Sequence, residues 1–386
     1  MQAMLVQLTT VHNRDDVRIL TKESYTLASR LPRKVLLMVA DGKGHTKAEL
    51  GHPSLHDLGL PRGGRLSRFV TGSWNAWMAI HRYQPDIVHF HDPELIPLGI
   101  LLKGMGYKII YDVHEDVPRQ ILSKHWLPGI LRSPLAWVAS GVEWIGAKAF
   151  NAVVPATDKI AGRFPADKTV TIQNYPSLTE MVQPAAIPYR ERLPSFIYPG
   201  VIAPIRGMVE VVRALEWLAD ISALRLDLAG TFSPARFEEE MRRLPGWNRV
   251  SYHGWVSRKD LSFLMAQARA GLVLHHPVPN EIDAQPIKMF EYMSASLPVI
   301  ASDFPAWRQV IESAGCGLLV DPLDPKAIAE AMRWILSHPD EAEAMGRRGR
   351  AAVEQTYNWD AEVPKLLALY GKLLSDQKTS NPSKNL

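Results

Sequence analysis

Short apolar runs alternate with longer amphipathic stretches along nearly the whole chain. Residues 4–10, 34–40, 86–90, 107–113, 152–155 and 169–173 read as buried strands in the first half. Residues 195–198, 224–230, 250–255, 271–275 and 299–302 do so in the second. Between them, 18–30, 67–83, 234–243, 260–268 and 326–336 carry the 3.6-residue spacing of helices. Trp74 and Trp77 are expected on the buried side of the helix over 67–83, and Ser257 as the cap of the helix that follows it. Strand and helix in regular alternation predict parallel sheets with helices on both faces. The Pro-rich segment 175–194 predicts a linker between a domain over 1–174 and another over 195–358. The helix over 359–374 is expected to return to the first domain, and the polar residues 375–386 to form a disordered tail.

The second half is organised around GLVLHHPVPNEIDAQPIKMFEYMSASLPVIAS, residues 271–302, which reads as strand, polar loop, helix and strand. In such a unit ligands bind beyond the carboxyl ends of the strands, where loop and first helical turn meet. Ile287, Phe290 and Met293 are expected to face the core, leaving Lys288, Glu291 and Tyr292 on the polar face. A lysine in a first turn is disfavoured by the helix dipole, so Lys288 implies an anionic ligand or a nearby carboxylate. A solvated ion pair of Lys288 with Glu291 is the alternative. Upstream, Gly200 and the pair Arg206-Gly207 outline a second anion site, a glycine turn with a cation beside free backbone N–H groups.

Polar residues also gather at strand ends in the first half. VHNRDDVR places His12, Arg14 and Asp15 after the first strand. HFHDPELIP brings His89, His91 and Asp92, and DVHEDVP brings Asp112 and His114, to the same sheet edge. The histidine pair suits a metal site, hydrogen-bonded core histidines or a sugar site; the many mixed donors and acceptors favour the sugar site, with no metal. The Gly42-Lys43-Gly44 loop lacks the spacing and ending of a phosphate loop.

Composition narrows the class. Cys316 is the only cysteine, which excludes a disulfide framework and a cysteine-based zinc site and suits a reducing compartment. No apolar run is long enough to span a bilayer and the N-terminus has no signal-peptide pattern, so the expected location is the cytosol. The first 174 residues hold 21 Lys+Arg against 15 Asp+Glu, and the totals of 44 and 40 leave 23 against 25 for the rest. That asymmetry points to an anionic partner of the first half, a lipid surface or a phosphorylated substrate. Nucleic acid is disfavoured, because no nucleic-acid motif accompanies the charge. Arg119, Lys124, His125, Trp126, Arg132, Trp137 and Trp144, interleaved with apolar residues over 119–150, fit a membrane interface or core packing with snorkelling cations.

These motifs in this order resemble the retaining glycosyltransferases of family 4, in a bacterial subgroup associated with surface-polysaccharide assembly. The segments are VHNRDDVRI, PDIVHFHDPELIP and IIYDVHEDVP in the first half, and PGVIAPIRG, LDLAG, VSYHGWV, PIKMFEYMSASLPVIAS and GCGLLVDPLDP in the second. The resemblance implies a GT-B fold, two doubly wound Rossmann-like domains facing across a cleft. It implies transfer of a hexose-type sugar from a nucleotide sugar, UDP-linked before GDP-linked, to a glycan or lipid-linked acceptor, without metal or other cofactor. Glu291 matches the second glutamate of the family's paired signature, the one that holds the ribose. Asp283 stands at the first, sugar-facing position, with Glu281 two residues ahead. Of the family's diphosphate-binding pair only Arg206 is present; Val201 replaces the arginine, and Lys288 is expected to supply the charge.

The implied catalytic set is therefore His114, Arg206, Lys288 and Asp283, with His114 facing the sugar. The implied donor-binding set is Gly200, Gly207, His253, Gly254, Trp255, Gln285 and Glu291, the turn after His253 holding the nucleobase. His12, Arg14, Asp15, His91 and Asp92 form the acceptor side, where the family's glycine-rich loop is replaced. A nucleotide-sugar epimerase on the same fold, or a non-catalytic member of a polysaccharide assembly complex, remain as alternatives.

Overall fold

The computed structural model describes residues 4–60, 64–124, 127–178 and 187–375. The chain divides into two compact units, the first running to Asn174 and resuming at Asp360, the second spanning Tyr175–Trp359. Each is built on one six-stranded parallel sheet. The first sheet has β1 (Met4–Thr9), β2 (Lys34–Val39), β3 (Ser54–Asp57), β4 (Ile87–Phe90), β5 (Lys108–Val113) and β6 (Ala152–Pro155), in the order β3-β2-β1-β4-β5-β6. The second has β7 (Ser195–Pro199), β8 (Arg225–Ala229), β9 (Val250–Gly254), β10 (Ala270–Val273), β11 (Val299–Ser302) and β12 (Gly317–Val320), in the order β12-β11-β10-β7-β8-β9. Counted within its own unit, each sheet has the same order, 3-2-1-4-5-6. The strand order therefore reverses direction beside β1 in one and beside β7 in the other, and ligands of such sheets bind outside the carboxyl ends at those points.

Central strands buried on both faces explain why their sequences read as continuous apolar runs. Three elements differ from expectation for the same reason in reverse, the first being β12, a half-buried edge strand that was not expected. β3, of sequence SLHD, is half-buried at a sheet edge and too polar to stand out from its loop. Residues 169–173 lie extended against β6, with Val170 N–H donating to Val153 O and Ile172 N–H to Pro155 O, without forming a regular strand.

Helix faces required further corrections. Helix Arg65–Tyr83 buries Gly72, Ala76, Ala79 and Ile80, while Trp74 is 60% exposed. Close packing against the sheet favours the small face, since a Cβ at Gly72 would stand 3.2 Å from Thr10 Cγ2. Helix Ile287–Ser294 turns Ile287 outward and buries Met289, Phe290, Tyr292 and Met293, so Tyr292 belongs to the core and not to the polar face. Its ring lies flat over Gly271, where a Cβ would come within 2.3 Å of Tyr292 Cγ, and its hydroxyl donates to the carbonyls of Ile197 and Leu272. Tyr175 and Tyr189, from the segment read as a linker, are buried in the core of the second unit. After β1 the chain winds through a π-helical segment, Val17–Ser24, that turns Arg18, Lys22 and Glu23 inward. Helix Trp359–Ser375 brings Tyr370 into the first unit beside β1 and β4. His125, Trp126 and the tail from 376 on lie outside the described residues.

Candidate active site

At the carboxyl edge of the second sheet, the loop after β7 is shaped by glycines. Gly207 has φ 67°, and a Cβ there would stand 2.1 Å from the carbonyl oxygen of Leu274. A Cβ at Gly230, after β8, would stand 1.8 Å from Gly200 O, so the two strand-end loops touch through bare backbone. Arg206, beside Gly207, donates from Nη1 to Glu281 Oε2 at 2.8 Å. Glu281 also lies 2.7 Å from Nδ1 of His275, the buried residue just past β10. Burial pushes the His275 pKa down to about 4, so the ring is neutral and supports Glu281 as a hydrogen-bond partner.

Lys288, in the first turn of helix Ile287–Ser294, projects its ammonium over the Tyr198 ring, 3.7 Å from the centroid. A Cβ at Gly200 would lie 3.5 Å from that nitrogen. Among the described residues no carboxylate forms a salt bridge with Lys288. Burial, and then the charge of Arg206, push its pKa down to about 7, with Glu291 and Glu281 opposing too weakly to restore it. A desolvated, under-neutralised ammonium beside a guanidinium and glycine-lined backbone is electrostatically incomplete. An anion completes it.

The other expected donor-side residues lie along the same edge. Glu291, the glutamate expected at the ribose position, accepts from Arg258 Nη1 at 2.6 Å and so is already paired with a cation. His253 turns Nε2 to Asp227 Oδ1 at 2.8 Å, Gly254 takes φ 65° with its carbonyl accepting from Gly230 N–H, and Trp255 is exposed. Gln285 reaches the Tyr175 hydroxyl at 3.4 Å. Asp283 sits at the C-terminal end of the short helix Pro279–Ile282, whose turn directs Glu281, and not Asp283, onto Arg206.

The first unit gathers its candidates at the edge of β1, β4 and β5. Asp92 is buried and accepts from Thr10 N–H at 2.5 Å and from Thr9 Oγ1 at 3.0 Å, closing the loop after β1. His12 lies between Asp16 Oδ2 at 3.3 Å and Asp92 Oδ1 at 3.6 Å, its ring 4.8 Å from that of His114. Burial alone would lower the His12 pKa; the bond to Asp16 and the charge of Asp92 raise it above its ordinary value. His91 is fully enclosed beneath His114, with its Nδ1 3.0 Å from His114 Nε2. Arg14 instead clasps Asp41 through Nε and Nη2, at 2.5 and 2.6 Å, and Asp15 is exposed.

Below these lies a buried polar cluster. Glu23, His89, His91 and Asp112 hold ligand atoms within 4.8 Å of one another, a set that could hold a metal ion. Arg18 already contributes positive charge there, with Nη2 3.0 Å from both oxygens of Asp112 and Nε 3.1 Å from Glu23 Oε1. The Arg18–Glu23 approach lacks hydrogen-bond alignment, so both Glu23 oxygens remain without a hydrogen bond. Burial, then Asp112, raise the Glu23 pKa well above the usual carboxylate range. For Asp112 burial acts the same way, but Arg18 and the neighbouring histidines hold it well below.

Sequence reasoning missed His275, Gly230, Gln7, Glu23 and Tyr370. Gln7 left a signal, a lone amide inside an apolar strand. Tyr370 left none, because its partner Gln7 is 363 positions away.

Known proteins show the same plan. Residues 24–174 match the family model for Glycosyltransferase Family 4, and residues 183–352 the model for Glycosyl transferases group 1. The D-rhamnosyltransferase WbpZ of Pseudomonas aeruginosa is 26% identical over 286 residues, 71% of this chain and 70% of that protein. Two further curated matches cover 22% and 56% of the lengths of the relatives concerned. The structure of sucrose-phosphate synthase from Thermosynechococcus elongatus superposes with TM-score 0.77 at 16% identity, covering 97% of this chain and 100% of that one. Anabaena HepE in complex with UDP and glucose gives TM-score 0.69 at 14% identity, with 97% and 100% coverage. Two Rossmann-like units of matching strand order and these likenesses define the GT-B fold. The chain is a glycosyltransferase of that class, its first unit carrying the family 4 match.

Proposed function

We propose that this glycosyltransferase moves a hexose-type sugar from a nucleoside diphosphate donor, UDP-linked in preference to GDP-linked, to a hydroxyl of a glycan or lipid-linked saccharide in bacterial surface-polysaccharide assembly. The anomeric configuration is retained. The observation that carries this reading is Lys288 beside Arg206 at the carboxyl edge of the second sheet, with no carboxylate in a salt bridge with Lys288 among the described residues. Departure of a nucleoside diphosphate concentrates negative charge on its phosphates, and fixed cations with glycine backbone N–H groups stabilise that charge without reorganising. Protein cations then do what a divalent ion does elsewhere, so no metal cofactor is required. His114 positions the sugar, and the leaving phosphate accepts the acceptor's proton. Likeness to a D-rhamnosyltransferase and to a protein seen with UDP and glucose supports the donor class.

The test is transfer by the purified protein from a panel of nucleotide sugars to saccharide acceptors, with the product's anomeric configuration read by NMR and the assay repeated in EDTA. Retained configuration and EDTA-resistant transfer are expected. Inversion contradicts the mechanism, EDTA sensitivity contradicts metal independence, and donor binding without transfer or hydrolysis contradicts catalysis.

The acceptor side is proposed to work at the inner face of the plasma membrane. Helix Gly129–Ala149 leaves Ile130 83% and Trp137 80% exposed, with Val138, Trp144 and Ile145 also outward and Arg132 and Lys148 on the same helix. Among the described residues no helix is long and apolar enough to cross a membrane. Exposed tryptophan and aliphatic side chains with cations suit the interface of an anionic bilayer. Co-sedimentation with vesicles containing phosphatidylglycerol is expected, weakened by Trp137→Glu; equal binding to neutral vesicles, or none to either, contradicts this.

A further inference from the structure

Behind His114 runs a continuous chain of buried hydrogen bonds. Tyr370 Oη lies 2.9 Å from His89 Nδ1 and 3.0 Å from Gln7 Nε2; Gln7 Oε1 lies 2.7 Å from His91 Nε2; and His91 Nδ1 lies 3.0 Å from His114 Nε2. Every member except His114 is fully or almost fully buried, so no solvent competes for these bonds. The 3.0 Å contact of His91 Nδ1 with His114 Nε2 pairs one N–H with one lone pair, and a neutral imidazole carries a single N–H, so each ring donates at one nitrogen and accepts at the other. Gln7 Nε2 also approaches His89 Nδ1, at 3.3 Å, so the amide faces both Tyr370 and His89; two proton arrangements run the length of the chain, and they are opposite in direction.

Asp112 selects between them. Its carboxylate lies 3.6 Å from His89 Nε2 and 3.5 Å from His114 Nε2, and a carboxylate favours N–H over a lone pair at both. With the proton on His89 Nε2, Nδ1 is bare and accepts from the Tyr370 hydroxyl. Tyr370 must then accept from the Gln7 amide, whose oxygen accepts from His91 Nε2–H. The bare His91 Nδ1 accepts from His114 Nε2–H. That bare Nδ1 lies 3.5 Å from Asp112, one unfavourable approach against two favourable ones. His114 Nδ1 is left as a lone pair, without a hydrogen-bond partner among the described residues.

We propose that Tyr370, Gln7 and His91 are positioning residues that fix His114 as the Nε2–H tautomer, so that its Nδ1 accepts a hydrogen bond from a hydroxyl of the sugar. The ligand group at His114 must therefore be a donor. A sugar that is deoxygenated, or carries a carbonyl, at the hydroxyl facing His114 leaves that lone pair unanswered and is discriminated against. The proposal deepens the donor-sugar reading above and rests on it for the identity of the hydroxyl, while the tautomer itself is a property of the free protein.

The experiment is a long-range 1H–15N correlation spectrum of the full-length protein labelled with 15N-histidine, without substrate at near-neutral pH, with the His114 signals identified by their loss in His114→Gln. The expected result is the Nε2–H form for His114. In Tyr370→Phe, where only the longer 3.3 Å approach of Gln7 Nε2 still couples His89 to the chain, a share of the Nδ1–H form is expected beside the Nε2–H form. There kcat falls roughly tenfold, the scale of one hydrogen bond, with KM for the donor nearly unchanged. An Nδ1–H His114 in the unmodified protein overturns the proposal even if Tyr370→Phe fails to fold, and so does an unaltered spectrum in a folded Tyr370→Phe. Full transfer by His114→Ala would instead sink the donor-sugar reading while leaving the measured tautomer intact.

Discussion

The Lys288 ammonium rests 3.7 Å from the centroid of the Tyr198 ring, and Arg206, not a carboxylate, is the charged group that most affects it. Its pKa of about 7 lies far below the ordinary lysine value. A lysine depressed in the fold binds its proton more readily when unfolded, so it weakens the fold increasingly as pH falls, most below about 7. Lys288→Met is therefore expected to raise the melting temperature at pH 6 and to do so less at pH 9, while lowering kcat by roughly 100-fold or more. Thermal scans at the two pH values with steady-state kinetics check both; a destabilised but active variant contradicts the assignment.

Glu281 and Asp283 separate structure from chemistry. Glu281 is buried between Arg206 and His275, so Glu281→Ala leaves two polar groups without their partner and costs about 1–3 kcal/mol of stability. Asp283→Asn is expected to lower kcat, if the aspartate serves the sugar-facing position. Melting curves beside kcat for the two variants decide this, and an inactive Glu281→Gln of normal stability with an active Asp283→Asn would reverse the roles.

Gly207 admits no side chain. Alanine there meets the Leu274 carbonyl at 2.1 Å in a left-handed conformation. The backbone strain alone costs about 1–3 kcal/mol, and relief by shifting the loop displaces Arg206. Gly207→Ala is expected to lose detectable UDP binding by calorimetry; unchanged affinity contradicts a role for this loop.

Glu23 gives the first unit a pH dependence of opposite origin. A carboxyl whose pKa is raised in the fold adds stability at low pH that is lost as pH rises above its ordinary value of about 4.5. Asp112, held low, keeps its contribution until pH falls below about 3.8. Glu23→Gln, which removes the proton to be lost, is expected to raise the melting temperature more at pH 8 than at pH 5; the reverse order contradicts a protonated Glu23.

Much of the fold was legible because central parallel strands are apolar on both faces. β1, β2, β4 and β5 and their counterparts in the second unit stand where the apolar runs placed them, within a residue or two at their ends. β3 was not, because a half-buried edge strand has no such run. Helix faces were less legible than helices: spacing alone marked Ile287 as core and Tyr292 as polar, whereas the close approach at Gly271 draws the tyrosine ring inward. Strand-end histidines and Lys288 were visible as polar residues in apolar surroundings. Their partners His275, Glu281 and Tyr370 were fixed by a loop turn or by a distant helix, which local pattern does not encode.

Calorimetric titration of UDP into the protein near pH 7.5, repeated in buffers of different ionisation enthalpy, tests the anion site most directly. A diphosphate raises the Lys288 pKa from about 7, so binding takes up a fraction of a proton, and the uptake vanishes in Lys288→Met with a weaker affinity. Binding with no proton uptake, or uptake and affinity unchanged in Lys288→Met, contradicts the account.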